Sequence, residues 1–144
     1  MRITFFASGT PKAQPRVKAY VRGKRAGVYT PDTANEWKKI VGLSAKMGTQ
    51  KFEGPISVTM DFFMPRPKTV KKGIWHAQKP DIDNMAKAVL DALTDAGVLA
   101  DDCIVVTLRL SKRWQIDDKV GCSVEIEDVA EAQGEFHWRM GSDQ

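Results

Sequence analysis

Apolar and polar positions alternate in four stretches of the chain and follow a helical period in two others. Arg2 to Ala7 sets Ile3, Phe5 and Ala7 against Arg2, Thr4 and Phe6. Ile56 to Met64 puts Ile56, Val58, Met60, Phe62 and Met64 on one side, leaving Asp61 on the other with no evident task. Val106, Leu108, Leu110, Lys112 and Trp114 alternate with Thr107, Arg109, Ser111 and Arg113, and Val120, Cys122, Val124 and Ile126 with Gly121, Ser123, Glu125 and Glu127. A period of two is that of half-buried strands, so the pattern predicts strands near 2–7, 56–64, 104–114 and 119–127. Gln115 to Lys119 reads as a turn with Asp117-Asp118 at its tip. It makes the last two strands a hairpin that pairs Lys112 with Cys122 and Leu110 with Val124.

From Ile82 the spacing changes. At 100° per residue, Ile82, Met85, Ala86, Val89, Leu90, Ala92, Leu93 and Ala96 fill an arc of about 160°. Asp83, Asn84, Lys87, Asp91, Thr94 and Asp95 share the opposite face. Pro80 discourages helix at Lys79, Asp81 or Asp83 can cap, and Gly97 supplies a stop, which predicts a helix near 82–96. A second helix near 31–47 opens at Thr30-Pro31, carries the stripe Trp37, Ile40, Val41, Ser44 and Met47, and ends near Gly48. Trp37 belongs to the core. The expected fold class is α+β, a mostly antiparallel mixed sheet with both helices on one face. Met60, Phe62, Val89, Leu93, Leu108 and Val124 should be buried together.

Between the first strand and the first helix, V-K-A-Y-V-R-G-K-R-A-G-V-Y-T reads as two short β-like runs around Gly23 and Gly27, a basic hairpin. Arg16, Lys18, Arg22, Lys24 and Arg25 interleave with Tyr20 and Tyr29. Cations can meet phosphate and rings can stack on exposed bases; a merely solvated hairpin is the other reading. Residues 65–79 form a long loop that holds Arg66, Lys68, Lys71, Lys72, Trp75, His76 and Lys79 and runs into the central helix. A lone loop histidine such as His76 reads as solvated rather than as a general base.

A chain of 144 residues has the length of one domain, and 42% apolar with 28% charged residues suits a globular one. No apolar run reaches the roughly 18 residues of a membrane span, and no secretory core opens the chain; no membrane partner and a cytoplasmic location are expected. The net charge of +4 is unevenly spread. Residues 1–75 hold 15 Lys/Arg against 4 Asp/Glu, a net +11, and residues 76–144 hold 7 against 14, a net −7. A basic half suits a polyanion and an acidic half a cation, though two solvated faces would give the same sums. Lys12, Arg16, Lys18, Arg22, Lys24, Arg25, Arg66, Lys68, Lys71 and Lys72 are the candidate DNA contacts. Cys103 and Cys122 fit no zinc spacing, fall in strand-like segments, and have no disulfide register. Residues 1–128 form the expected domain, and 129–144 a polar tail with no assignable task.

Asp81-Ile82-Asp83-Asn84, Lys87, Asp91-Ala92-Leu93 and Asp101-Asp102 together form a D-x-D-N-x-x-K-x-x-x-D-A-L run followed by a D-D pair. With Gly9 to Arg16 and Val28 to Pro31, this resembles the RusA-type Holliday-junction resolvases, phage-like branch, over roughly residues 3 to 127. The resemblance implies an endonuclease that resolves four-way DNA junctions by paired symmetric cuts, in recombination and repair. It implies Asp81, Asp83 and Asp102 as the catalytic and metal-binding triad, and Lys87 as a fourth functional position. It also implies a homodimer.

Phosphodiester hydrolysis needs an activated water and charge relief on the phosphate, which Mg²⁺ held by two or three aspartates can supply. Asn84 and Asp101 are secondary candidates. Read alone, an aspartate at a helix start is a cap. Lys87 alone, between Asp83 and Asp91, is an i,i+4 ion pair, and Asp91 stays in that class. A non-catalytic DNA- or metal-binding module is the alternative to the enzyme. A helix over 82–96 is about 22 Å long, so Asp102 cannot easily reach Asp81 and Asp83 on one straight chain. Two copies packed antiparallel would bring them together in two composite sites.

Overall fold

The computed structural model describes residues 1–46 and 51–129. Strands β1 (Arg2–Ser8), β4 (Ile56–Met64), β5 (Val105–Trp114) and β6 (Gly121–Asp128) form one sheet, and β2 (Lys18–Arg22) pairs with β3 (Arg25–Tyr29) in a second, two-stranded one. Helices α1 (Asn35–Ala45) and α2 (Ile82–Asp95) complete the α+β fold.

The sheet order is β1-β6-β4-β5, antiparallel at β1–β6 and β6–β4 but parallel at β4–β5. This corrects the expected β5–β6 hairpin. Phe62 lies between Lys112 and Cys122, and Met60 between Leu110 and Val124. The expected partners are therefore level with each other but one strand apart. Alternation sets which face and height a residue takes, and those follow the pattern. It does not set which strand stands next door. The most continuously apolar strand, β4, takes the middle, where both its edges are paired. Parallel β4 and β5 then require a long crossover, supplied by residues 65–104 with α2 inside them.

One face of the sheet is covered. Ala7, Ile56, Val58, Met60, Phe62, Cys122, Val124 and Ile126 pack there with Trp37, Val41, Met85, Val89 and Leu93 in one core cluster. Leu93 and Phe62 are fully buried. Leu108 is a correction: it is 42% exposed, beside Val106 at 59%. It sits on the edge strand, where no element among the described residues covers the outer flank.

The first helix starts at Asn35 rather than Pro31, because residues 32–34 form a turn closed by Asn35 N–H to the Asp32 carbonyl, 3.1 Å. Trp37 is buried as expected, whereas Met47 and Gly48 lie outside the described residues. Both cysteines are free, but Cys103 sits in a one-turn 3₁₀ segment, Asp102–Ile104, and not in a strand. Asp61 has a structural role, accepting from Ser111 Oγ at 2.5 Å, with Arg113 at 3.8 Å. Asp117-Asp118 is turn chemistry, closed by Lys119 N–H to the Ile116 carbonyl.

Candidate active site

Asp81 occupies the N-cap position of α2 with extended backbone, and its carbonyl accepts from Met85 N–H at 3.1 Å. Its side chain makes no capping bond. Asp83 follows in the first turn, and both carboxylates are exposed. Neither makes a hydrogen bond or ion pair among the described residues. The helix start therefore leaves two carboxylates available where a cap would have engaged one.

The end of β5 holds this helix start in place. Lys112 points to the covered side of the sheet, and its Nζ donates to the carbonyls of Pro80, at 2.6 Å, and Gln78. Burial draws its pKa down, and the charge of Asp81 opposes that shift. His76 corrects the solvated reading: it is only 7% exposed, stands edge-on to Trp114 at 4.4 Å, and donates its backbone N–H to the Lys112 carbonyl. Its pKa is lowered, first by burial and then by Lys112. His76, Gln78, Lys79, Asp81, Asp83 and Lys112 line one open groove.

Asp102 follows α2 in the chain and lies within electrostatic reach of Lys87 and Asp91 on the polar face of that helix. The helix stops at Ala96, Gly97 turns at φ +78°, and Val98 and Leu99 return to the core. Asp101 caps the 3₁₀ segment by accepting from Cys103 N–H at 3.0 Å, and that bond, with one shared with Asp102, lowers its pKa. The pKa of Asp102 is raised, chiefly by the hydrogen bond with Asp101, then by desolvation and the charge of Asp101, with Lys87 opposing. Its charged neighbours are Asp101, Lys87 and Asp91. The 14 residues of α2 span about 21 Å. Among the described residues no three His, Cys, Asp or Glu side chains come together as a metal site. At the start of α2 one chain offers Asp81 and Asp83 as hard oxygen ligands of the kind a divalent metal takes.

The ion-pair reading of Lys87 is also corrected, since Asp91 pairs with Lys38 at 3.8 Å. Lys87 instead borders a cleft with Asn84, Gln14, Arg16, Val17 and Thr30, and Gln14 N–H donates to the Asn84 carbonyl at 2.9 Å. The root of the β2–β3 hairpin thus rests against the polar face of α2. Lys12, Arg16, Lys18, Arg22, Lys24 and Arg25 are exposed, as are Lys68, Lys71 and Lys72 on the 65–79 loop. Arg66 is engaged within that loop, donating to the Gly73 carbonyl at 2.8 Å and lying 5.8 Å over Trp114. His76 and Lys112 are the groove residues the candidate set lacks. Lys112 carried a signal, an inward register position shared with Leu108, Leu110 and Trp114. His76 carried none.

The sequence pattern of the endodeoxyribonuclease RusA family matches residues 8–127, so it takes in the helix start, Lys87 and the Asp101-Asp102 pair alike. The chain belongs to the RusA endodeoxyribonuclease family. As a RusA-family endodeoxyribonuclease it is a hydrolase acting on DNA. Two relatives are similar along most of their length. The uncharacterized protein YqaN of Bacillus subtilis (strain 168) is 30% identical over 141 residues, covering 89% of this chain and 97% of its own. The crossover junction endodeoxyribonuclease RusA of Aquifex aeolicus (strain VF5) is 26% identical over 114 residues, covering 78% and 82%. In this RusA-family chain, the matched span includes every candidate carboxylate and the whole hairpin.

Proposed function

We propose that this chain is a Mg²⁺-dependent endonuclease that resolves four-way DNA junctions by paired symmetric hydrolysis, in recombination and repair, acting as a homodimer. The observation that carries the reading is that Asp81 and Asp83 stand exposed and unengaged at the start of α2 and, among the described residues, do not gather with Asp102 into one cluster. A two-fold arrangement that sets α2 of one copy antiparallel to that of the other places Asp81 and Asp83 of one chain beside Asp102 of its partner. It yields two equivalent sites, which is what paired cuts on a symmetric junction require. Aspartate oxygens are hard ligands of the kind Mg²⁺ takes while keeping several waters. The flank of β5, which no described element covers and where Val106 and Leu108 are exposed, is the apolar surface available to a second copy. The name of the Aquifex aeolicus relative supports the junction as substrate. No helix is long and apolar enough to cross a membrane among the described residues, and we place the protein in the cytoplasm with its DNA. Residues 1–128 make the catalytic domain in this reading, with 129–144 a tail outside it.

Complementation tests it. Asp83→Asn and Asp102→Asn chains are prepared separately, then co-folded, and assayed on a synthetic four-way junction with Mg²⁺ and with chelator. Each variant alone should be inactive yet keep its junction affinity, because the basic hairpin and loop supply binding. The mixture should recover single-strand nicking, since each heterodimer has one intact and one doubly altered site. A mixture that stays inactive means that each site is built within one chain.

A further inference from the structure

The β2–β3 hairpin has two unlike faces. In its register Lys18 pairs with Tyr29, Tyr20 with Gly27 and Arg22 with Arg25, and these six share one face. Ala19, Val28, Val21 and Ala26 make up the other. Every cation of the two strands therefore falls on the face that carries both rings.

Three details of that face point to a ligand. Arg22 and Arg25 stand directly opposite each other, a like-charge pair that destabilises a two-stranded ribbon, and no carboxylate pairs with either among the described residues. The ring of Tyr20 lies across Gly27: a Cβ at residue 27 would come within 2.6 Å of the Tyr20 hydroxyl oxygen and 2.7 Å of the ring. The glycine lets the ring recline where a side chain would force it upright. Tyr29 meets it at 6.2 Å between centroids, tilted by 57°, and both rings remain exposed at 42% and 50%. Tyr20, Tyr29, Arg22 and Arg25 together bound a cleft of about 510 Å³, within the roughly 300–1,000 Å³ range of small-ligand pockets.

We infer that this cleft is a nucleotide platform: the two tyrosines stack on a base that has left the helix at the branch point, and Arg22 and Arg25 hold its flanking phosphates. The inference rests on the proposed junction substrate and names which part of the junction is read. A paired base in linear duplex offers no free face, so a stacking site selects for branch points, whereas phosphate contacts do not. Position agrees. Val17 and Thr30 at the hairpin root border the same cleft as Lys87, and Tyr20 is three residues up the strand from Val17. At about 3.3 Å per residue the platform stands roughly 10 Å above the polar face of α2, about three base steps along a strand.

The test uses the full chain, a four-way junction carrying 5-iodo-deoxyuridine at positions around the exchange point, and a linear duplex of matching sequence. Irradiation should crosslink the unaltered protein to Tyr20 or Tyr29 on the junction and not on the duplex. Tyr20→Thr with Tyr29→Thr should weaken junction binding roughly tenfold with duplex affinity and salt dependence unchanged, and the double Tyr→Phe variant should restore it. Arg22→Gln with Arg25→Gln should instead weaken both DNAs and lower the salt slope by about 1.8. Crosslinks absent, or equal on both DNAs, overturn the platform, as does an equal loss of both affinities in the Thr variant. Should the unaltered protein bind junction no better than duplex, the junction reading falls too; if it prefers and cuts junctions while the tyrosine variants match it, only the platform falls.

Discussion

At the scale of single residues, the tightest constraint sits far from the carboxylates. Gly121 opens β6 at φ +151°, where a Cβ would run into the Ala7 carbonyl oxygen and to within 2.8 Å of the Phe6 ring. Gly121→Ala should therefore cost about 3 kcal/mol or more, from strained backbone and a clash that main chain cannot yield to. A denaturant midpoint within error of the original would contradict this. The carboxylates themselves were legible in the sequence because their value lies in spacing, and spacing is what a sequence displays. Whether Asp81 was a cap or a ligand was not legible, since both uses want the same residue at the same helix position. His76 was illegible for another reason: its burial depends on Trp114, 38 positions away, and no local pattern marks that contact.

Among the described elements, both helices and the four strands of the main sheet were marked by period, the hairpin by its glycines, and what the period omits is adjacency. Alternation in β5 and β6 suited a hairpin, but β4 competes for the same neighbours and has the longer apolar face. The 65–79 loop was likewise recognised without its docking, which comes from backbone bonds to the β5 edge. Trp114 N–H donates to the Ile74 carbonyl at 2.8 Å and His76 N–H to the Lys112 carbonyl at 3.2 Å. That docking should weaken in acid. His76 has a lowered pKa in the fold, so below about 6.5 the unfolded chain takes up a proton that the folded chain resists. Its contribution to stability is present above that pH and declines as pH falls toward the folded value. Denaturant midpoints at pH 7.5 and pH 5 should differ less in a His76→Phe variant than in the unaltered protein. An equal difference would place the acid sensitivity elsewhere.

For the molecule as a whole, charge and pattern together announced a basic half over an acidic one, and the fold turns that into a hairpin and loop of cations around carboxylates at the start of α2. The last strand has a consequence for how such a protein is made. β6 alone joins β1 to β4, pairing Ile3 and Val58 on either side of Ile126. On the ribosome, then, β1 emerges more than a hundred residues before β6, its one partner among the described strands, a wait of roughly 5–20 s at ordinary rates of synthesis. Through that interval β1 has no strand to bond, and β4 has one open edge beside Val58, Met60 and Phe62. The sheet cannot close progressively as the chain lengthens; it must close at the end, in one step. A chain released after Lys119 should collect in the insoluble fraction, whereas the complete chain should be recovered folded, and the shortened chain's amides in β1 should exchange without protection. Protected β1 amides in that shortened chain would mean that some other strand can stand in for β6.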